Sequence, residues 1–173
     1  MNCKRGDESP LFFLLVMISK KEVVKLAQER IKELDNGNYL VDVTISPKNS
    51  IRVKMDNLNG GVSVKDCVSV SRNIEHNLDR EKEDFELQVS SPGLDQPFMV
   101  MQQYLKNIGK QVSVTTQTNE TLTGELVEAS KKEISLRELK VEKNKTTKKK
   151  VQIENIHHLL MDEIRETKLI ISF

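Results

Sequence analysis

Leu87-Gln88-Val89-Ser90-Ser91-Pro92-Gly93-Leu94-Asp95-Gln96-Pro97-Phe98 reads as a strand driven straight into a rigid turn. Phe85, Leu87 and Val89 alternate with Glu86, Gln88 and Ser90, the period-two pattern of a strand with one wet face. Pro92 removes a backbone donor and fixes its own φ, while Gly93 can take the positive φ that the third position of a type II turn needs. Ser91 and Gln96 each precede a proline, which pushes both towards extended backbone. The chain changes character on either side of this bend.

Upstream, Val23, Val24, Ala27, Ile31 and Leu34 recur at three- and four-residue spacing and predict a helix, capped by Ser19 and stopped by Asn36-Gly37 in the left-handed region. Tyr39, Val41, Val43 and Ile45, then Ile51, Val53 and Met55, alternate with polar residues around Pro47-Lys48-Asn49-Ser50 and predict an antiparallel hairpin. Gly60-Gly61 breaks the chain. Ser63 then caps a second helix, Asp66 suits its positive end, and Val64, Cys67, Val68, Ser71, Ile74 and Leu78 form its inner stripe. With the strand ending at Ser90 this makes an α-β-β-α-β unit, two helices on one face of a three-stranded sheet.

Downstream, a helical segment at Met99–Asn107 ends at Gly109. Short β-branched strands follow at Gln111–Gln117, Thr121–Glu128, Ile134–Leu139, Val151–Ile153 and Lys168–Phe173, with Asn155–Met161 open between strand and turn. Their spacing predicts a small barrel with Gly124 at a sharply bent corner. The expected class is therefore α+β: residues 17–96 form an N-terminal α+β domain and 97–173 a small β-barrel domain. Each is near 80 residues, a size at which a lone core is marginal, so a short hinge at Leu94–Phe98 with the two partly docked is expected.

With 37% hydrophobic and 31% charged residues the chain is neither a membrane protein nor a disordered one. Aromatics at 4% and no tryptophan leave nothing to build a base-stacking platform, and a net charge of +1 excludes a globally basic nucleic-acid binder. Cys3 and Cys67 make no disulfide framework, and Cys67 reads as a small buried hydrophobe on its helix. His157 and His158 face opposite ways in a strand and His76 has no partner at ligand spacing, so no metal and no cofactor are expected. The apolar run Leu11–Met17 is too short to span a bilayer. Residues 1–16 read as a non-native or disordered extension, with translation expected to start at Met17.

Charge is segregated although the total is near zero. Between Lys131 and Lys150 nine cations, among them Lys131, Lys132, Lys143, Lys145, Lys148, Lys149 and Lys150, stand against three glutamates. Between Asp79 and Asp95 six carboxylates stand against two cations. The basic stretch reads either as a solvated hairpin tip or as a sequence-nonspecific phosphate contact, and the acidic one either as an exposed helix end or as a contact for a basic protein. No P-loop, dinucleotide fingerprint, zinc-protease motif or nucleophile elbow is present, so no catalytic residue is assigned and no enzyme is expected.

Val89-Ser90-Ser91-Pro92-Gly93-Leu94-Asp95 with Pro97, together with Gly60-Gly61-Val62-Ser63, Asp66-Cys67 and Val70-Ser71-Arg72, resembles the two signature stretches of the bacterial ribosome maturation factor RimP family. Gln96 departs from it, standing where the family usually carries a basic residue. The resemblance implies a KH-like N-terminal domain and an SH3- or Sm-like barrel. It also implies a non-catalytic, cytoplasmic, monomeric assembly factor for the small ribosomal subunit. The partners so implied are the immature subunit, the basic small-subunit ribosomal protein twelve and ribosomal RNA, with no membrane. Carried onto this chain, Arg72, Ser90, Ser91 and Asp95 become contact candidates. Gly60, Gly61, Ser63, Asp66, Pro92, Gly93, Leu94 and Pro97 become architectural ones. The rival readings are a general Sm-like RNA binder and a ribosomal-protein adaptor.

Overall fold

The computed structural model describes residues 18–143 and 150–171. The expected N-terminal extension, and Lys145, Lys148 and Lys149, lie outside the described residues. Helix α1 (Lys20–Leu34) leads into strands β1 (Asn38–Ile45) and β2 (Ser50–Asn57), then α2 (Val64–Asn77) and β3 (Glu86–Ser90). The Ser19 side chain makes no cap bond; its carbonyl accepts from Glu22 N and Val23 N instead. The left-handed stop begins one residue earlier than expected, at Asp35 (φ 41°), with Gly37 (φ 83°) completing the reversal. Ser63 caps α2 as expected, its Oγ accepting from Asp66 N at 3.1 Å.

β1 and β2 pair antiparallel, and β3 joins β2 in parallel, Ile51 beside Leu87 and Val53 beside Val89. A parallel neighbour cannot be reached by a tight turn, so α2 serves as the crossover. Val23, Ala27 and Ile31 of α1, Val70 and Ile74 of α2, and Val43, Ile51, Val53 and Met55 of the sheet form one core, with Cys67 packed at its margin. A bulge between Leu40 and Asp42 shifts the β1 register. Alternation then puts Tyr39 and its cross-strand partner Asp56 on the sheet face away from Met55.

The bend differs from its expected form. Gly93 does not take a positive φ, and the turn closes two residues later, Gln96 N donating to Gly93 O at 3.1 Å around Leu94-Asp95. A Cβ at Gly93 would lie 2.7 Å from Asp95 Oδ1, the end of an exposed side chain that can turn aside.

Beyond it come α3 (Met101–Lys106), β4 (Gln111–Thr116), β5 (Thr121–Ala129), β6 (Glu133–Lys143), β7 (Lys150–Leu160), a 3-10 turn at Met161–Glu163, and β8 (Ile164–Leu169). The five strands form one antiparallel sheet in the order β7-β6-β5-β4-β8, over a core of Tyr104, Val112, Val114, Leu126, Ile134, Leu136 and Ile164. This corrects the expected closed barrel: among the described residues β7 and β8 pair on one side only, leaving the sheet open. The segment left between strand and turn, Asn155–Met161, is strand through Leu160, and the last strand is Ile164–Leu169 instead of Lys168–Phe173. At Gly124 a Cβ would meet the Arg137 carbonyl oxygen at 2.7 Å, so β5 and β6 approach too closely there for any side chain. β5 covers β6 only as far as Arg137, so Glu138–Lys143 and their β7 partners run on as a two-stranded ribbon.

Candidate functional site

Where the two sheets meet, the end of β2, the loop before α2, the bend and α3 enclose a cleft of about 380 Å³. Gly60 and Gly61 line it from the first unit, Ser91, Pro92, Gly93, Leu94 and Gln96 from the bend, and Phe98, Lys106 and Lys110 from the second. The two motif stretches, some thirty residues apart in sequence, thus share one concave surface. A Cβ at Gly60 or Gly61 would meet open space, so these glycines leave the cleft floor bare backbone.

The seam is held by a buried charge. Lys106 Nζ lies 2.8 Å from both carboxylate oxygens of Asp56, and their side chains are only 18% and 12% exposed. Tyr39 OH donates to Asp56 Oδ2 at 3.0 Å and Asn57 N to Oδ1 at 2.9 Å, so every face of the carboxylate is occupied. On the other bank, Gln103 Oε1 accepts from Met99 N and Val100 N, pinning the start of α3. Asn107 donates to Gln103 O and accepts from Lys110 Nζ, which aims that ammonium along the cleft wall. Phe98 N donates to Thr167 O at 2.8 Å, its ring meets Tyr104 edge-on at 5.1 Å, and Tyr104 OH bonds Thr167 Oγ1.

Burial, the Asp56 charge and the hydrogen bond to it push the Tyr39 phenol far above its ordinary range, and burial raises Tyr104 as well. The folded chain therefore holds both phenolic protons more tightly than the unfolded one. The resulting stability is complete below about pH 10 and is lost as pH rises through the folded values. These are the chain's two tyrosines and it has no tryptophan. Tyrosinate absorbance is expected to stay silent past the ordinary phenol pKa and to rise only with loss of circular dichroism. Ordinary titration of a still-folded protein would refute the seam geometry.

The other sequence candidates are scattered. Arg72 lies on the outer face of α2, in a separate groove of about 520 Å³ with Arg30, Lys65 and His76. Asp66 stays below the usual carboxylate range through hydrogen bonds from Asn38, Ser63 and Asn36. Ser90 ends β3, half-buried, and Asp95 is exposed in the turn. Pro97 follows the turn and leads into Phe98. Within the acidic stretch the two cations are taken locally: Lys82 pairs with Asp79 at 2.9 Å, and Arg80 reaches Glu75 and lies over the Phe85 ring.

Among the described residues the basic stretch is divided: Lys131 and Lys132 sit in the turn that opens β6, whereas Lys143 and Lys150 are register partners at its far end, about 33 Å away along an extended strand. None of Asp56, Lys106, Tyr39 and Lys110 is marked as a site residue by the sequence. Asp56 simply continues an alternating strand, and nothing local marks a lysine fifty residues on as its partner.

The cleft thus brings bare backbone, a prolyl turn and two lysines onto one concave surface between the two sheets of an α+β fold, with its lining carboxylate, Asp56, already paired. Residues 26–95 match the family model of the RimP N-terminal domain. The ribosome maturation factor RimP of Christiangramia forsetii is 40% identical over 154 residues, covering 89% of this chain and 99% of the relative. Those of Flavobacterium psychrophilum and Porphyromonas gingivalis are 34% and 32% identical over 157 and 155 residues, about nine-tenths of this chain and the whole of each relative. The chain belongs to the RimP family.

Proposed function

We propose that this protein is a non-catalytic, cytoplasmic ribosome maturation factor that acts on the immature small subunit and aids incorporation of the basic ribosomal protein twelve. The observation that carries the reading is the cleft, in which both family stretches converge across a seam braced by Asp56 and Lys106. A braced joint favours presenting two surfaces in fixed relation, as a placement factor must. The division at 96/97 belongs to this reading, as do the KH-like and Sm-like names for the two units. The parallel β2–β3 pairing through α2 supports the first name, and the return of β8 to β4 after a 3-10 turn supports the second. Sucrose-gradient profiles of a strain lacking the protein are expected to show fewer mature small subunits. A normal profile would refute the reading.

Direct contact with ribosomal RNA is a second reading, favoured by the α2 groove. Arg30, Lys65, Arg72 and His76 line it without a carboxylate among the lining residues, while Val64 and Val68 stay exposed beside them. Phosphate contact of this kind weakens steeply with salt. Arg72→Glu is expected to flatten the salt dependence of binding to immature subunits, and an unchanged slope would remove the groove from the contact.

A further inference from the structure

We propose that the outer edge of β7 is a strand-addition site for an extended, lysine- or arginine-rich segment of a protein partner. β6 and β7 pair without a register shift from Glu133 and Leu160 to Lys143 and Lys150. Among the described residues no strand lies on β7's other side. The hydrogen-bond phase is fixed at its end, where Met161 N donates to Lys132 O while Leu160 N turns the opposite way to Glu163 Oε2. Antiparallel pairing then alternates, so Asn155, His157 and Leu159 bond to β6, and Glu154, Ile156 and His158 point both N–H and C=O outward.

Edges of this length are usually blunted by charged side chains, lysine above all, by proline, by a bulge or by a covering element. From Glu154 to Leu160 β7 carries Glu154 as its one acidic or basic (Lys/Arg) residue. β7 has no proline and no bulge, and Ile156 (55%) and Leu160 (46%) are exposed beside the open backbone. The occupant follows from charge. Alongside Glu154–Leu160 the outer face carries Glu125, Glu128, Glu133 and Glu154, and the one cation placed among them, Arg137, is already shared between Glu125 and Glu154; Lys143 and Lys150 pair at the opposite end of the ribbon, beyond this segment. A phosphate backbone meets repulsion there, and a second copy would bring the same carboxylates. A basic strand meets neither. Side chains opposite Glu154, Ile156, His158 and Leu160 share one face, so the matching segment reads cation, apolar, polar, apolar at alternate positions.

The inference rests on the ribosome-maturation reading only for the source of the segment. The test is overlapping synthetic peptides covering the small-subunit ribosomal proteins, titrated against the full chain with amide exchange as the readout. Basic peptides with that alternation are expected to slow exchange at Glu154, Ile156 and His158. Ile156→Pro deletes an outward N–H without touching a β6 bond, and is expected to weaken such peptides about tenfold or more, because it orphans a peptide carbonyl. Ile156→Lys keeps the backbone and should weaken them similarly through charge. The proposal fails if these amides stay unprotected, if acidic peptides or RNA oligomers protect them equally, or if protection needs only raised concentration of the protein itself. Sedimentation of the unmodified protein with immature subunits runs in parallel. Loss of that association overturns the proposed function, whereas association retained with unprotected edge amides overturns the edge site alone.

Discussion

Lys106→Met is expected to cost about 3 kcal/mol of folding free energy, read as a lowered urea midpoint with little change in slope. The methionine fills a similar volume, so the loss is electrostatic. Asp56 would keep its hydrogen bonds from Tyr39 OH and Asn57 N but lose its counter-charge at a residue only 8% exposed. Removing one member of a buried pair costs far more than the pair itself contributes, because the survivor stays desolvated. Two results follow together. The double variant Lys106→Met with Asp56→Leu should recover most of the loss, since neither charge is then stranded. A single variant within about 0.5 kcal/mol of wild type, the range of ordinary surface changes, would show the seam to be wet and the units undocked.

Gly124→Ala is the second large effect, expected at about 2–3 kcal/mol. The added Cβ would meet the Arg137 oxygen at 2.7 Å, its carbonyl carbon at 3.1 Å and Glu138 N at 3.4 Å, all backbone, so no rotamer change relieves the clash. β5 must lift from β6 where the sheet hands over to the free ribbon, and amide exchange should quicken around Glu125 and Arg137 before it does elsewhere. Gly93→Ala supplies the contrast. Its Cβ would meet the movable Asp95 and Gln96 side chains, so a change within about 0.5 kcal/mol is expected. Equal costs at the two glycines would mean that the close crossing at Gly124 is absent.

What could be read from the sequence tracks where the physics is local. Alternation at Ile51–Met55 and Phe85–Ser90, and helical spacing from Val23 to Leu34, marked the first unit because each element buries one face, whereas the bulge after Leu40 sends Tyr39 to the face opposite Val43, against the single face its alternation implied. Ser63 was legible as a cap because capping is a three-residue event. The end of β7 was not: Asn155-Ile156-His157-His158-Leu159-Leu160 lacks clean polarity because an edge strand on a half-wet ribbon need not alternate apolar with polar. β8 was misplaced towards the terminus because its inward positions are Ile164 and Thr167, an aliphatic and a hydroxyl. The proline bend was located correctly, but its turn depends on Gln96 N reaching back to Gly93 O, which the proline rules do not specify. For the candidate site, the two motif stretches were visible and their convergence was not. The Asp56–Lys106 bond, which spans fifty positions, has no local trace, and sequence contiguity does not reveal that Lys131–Lys132 and the Lys143–Lys150 pair sit at opposite ends of one strand.

The order in which strands complete each sheet has a consequence for synthesis. β2 is central among the first three strands, but a two-stranded hairpin is marginal alone, so this half can commit only after Ser90 has left the exit tunnel. β4 waits longer, for a neighbour that closes only at Leu169, more than fifty residues after β4 itself. The amino-terminal half can thus be mature while the rest is still nascent. Throughout that interval β4 offers an unsatisfied side to any passing chain, and a pause in elongation between Thr116 and Ile164 is where misassembly is most exposed.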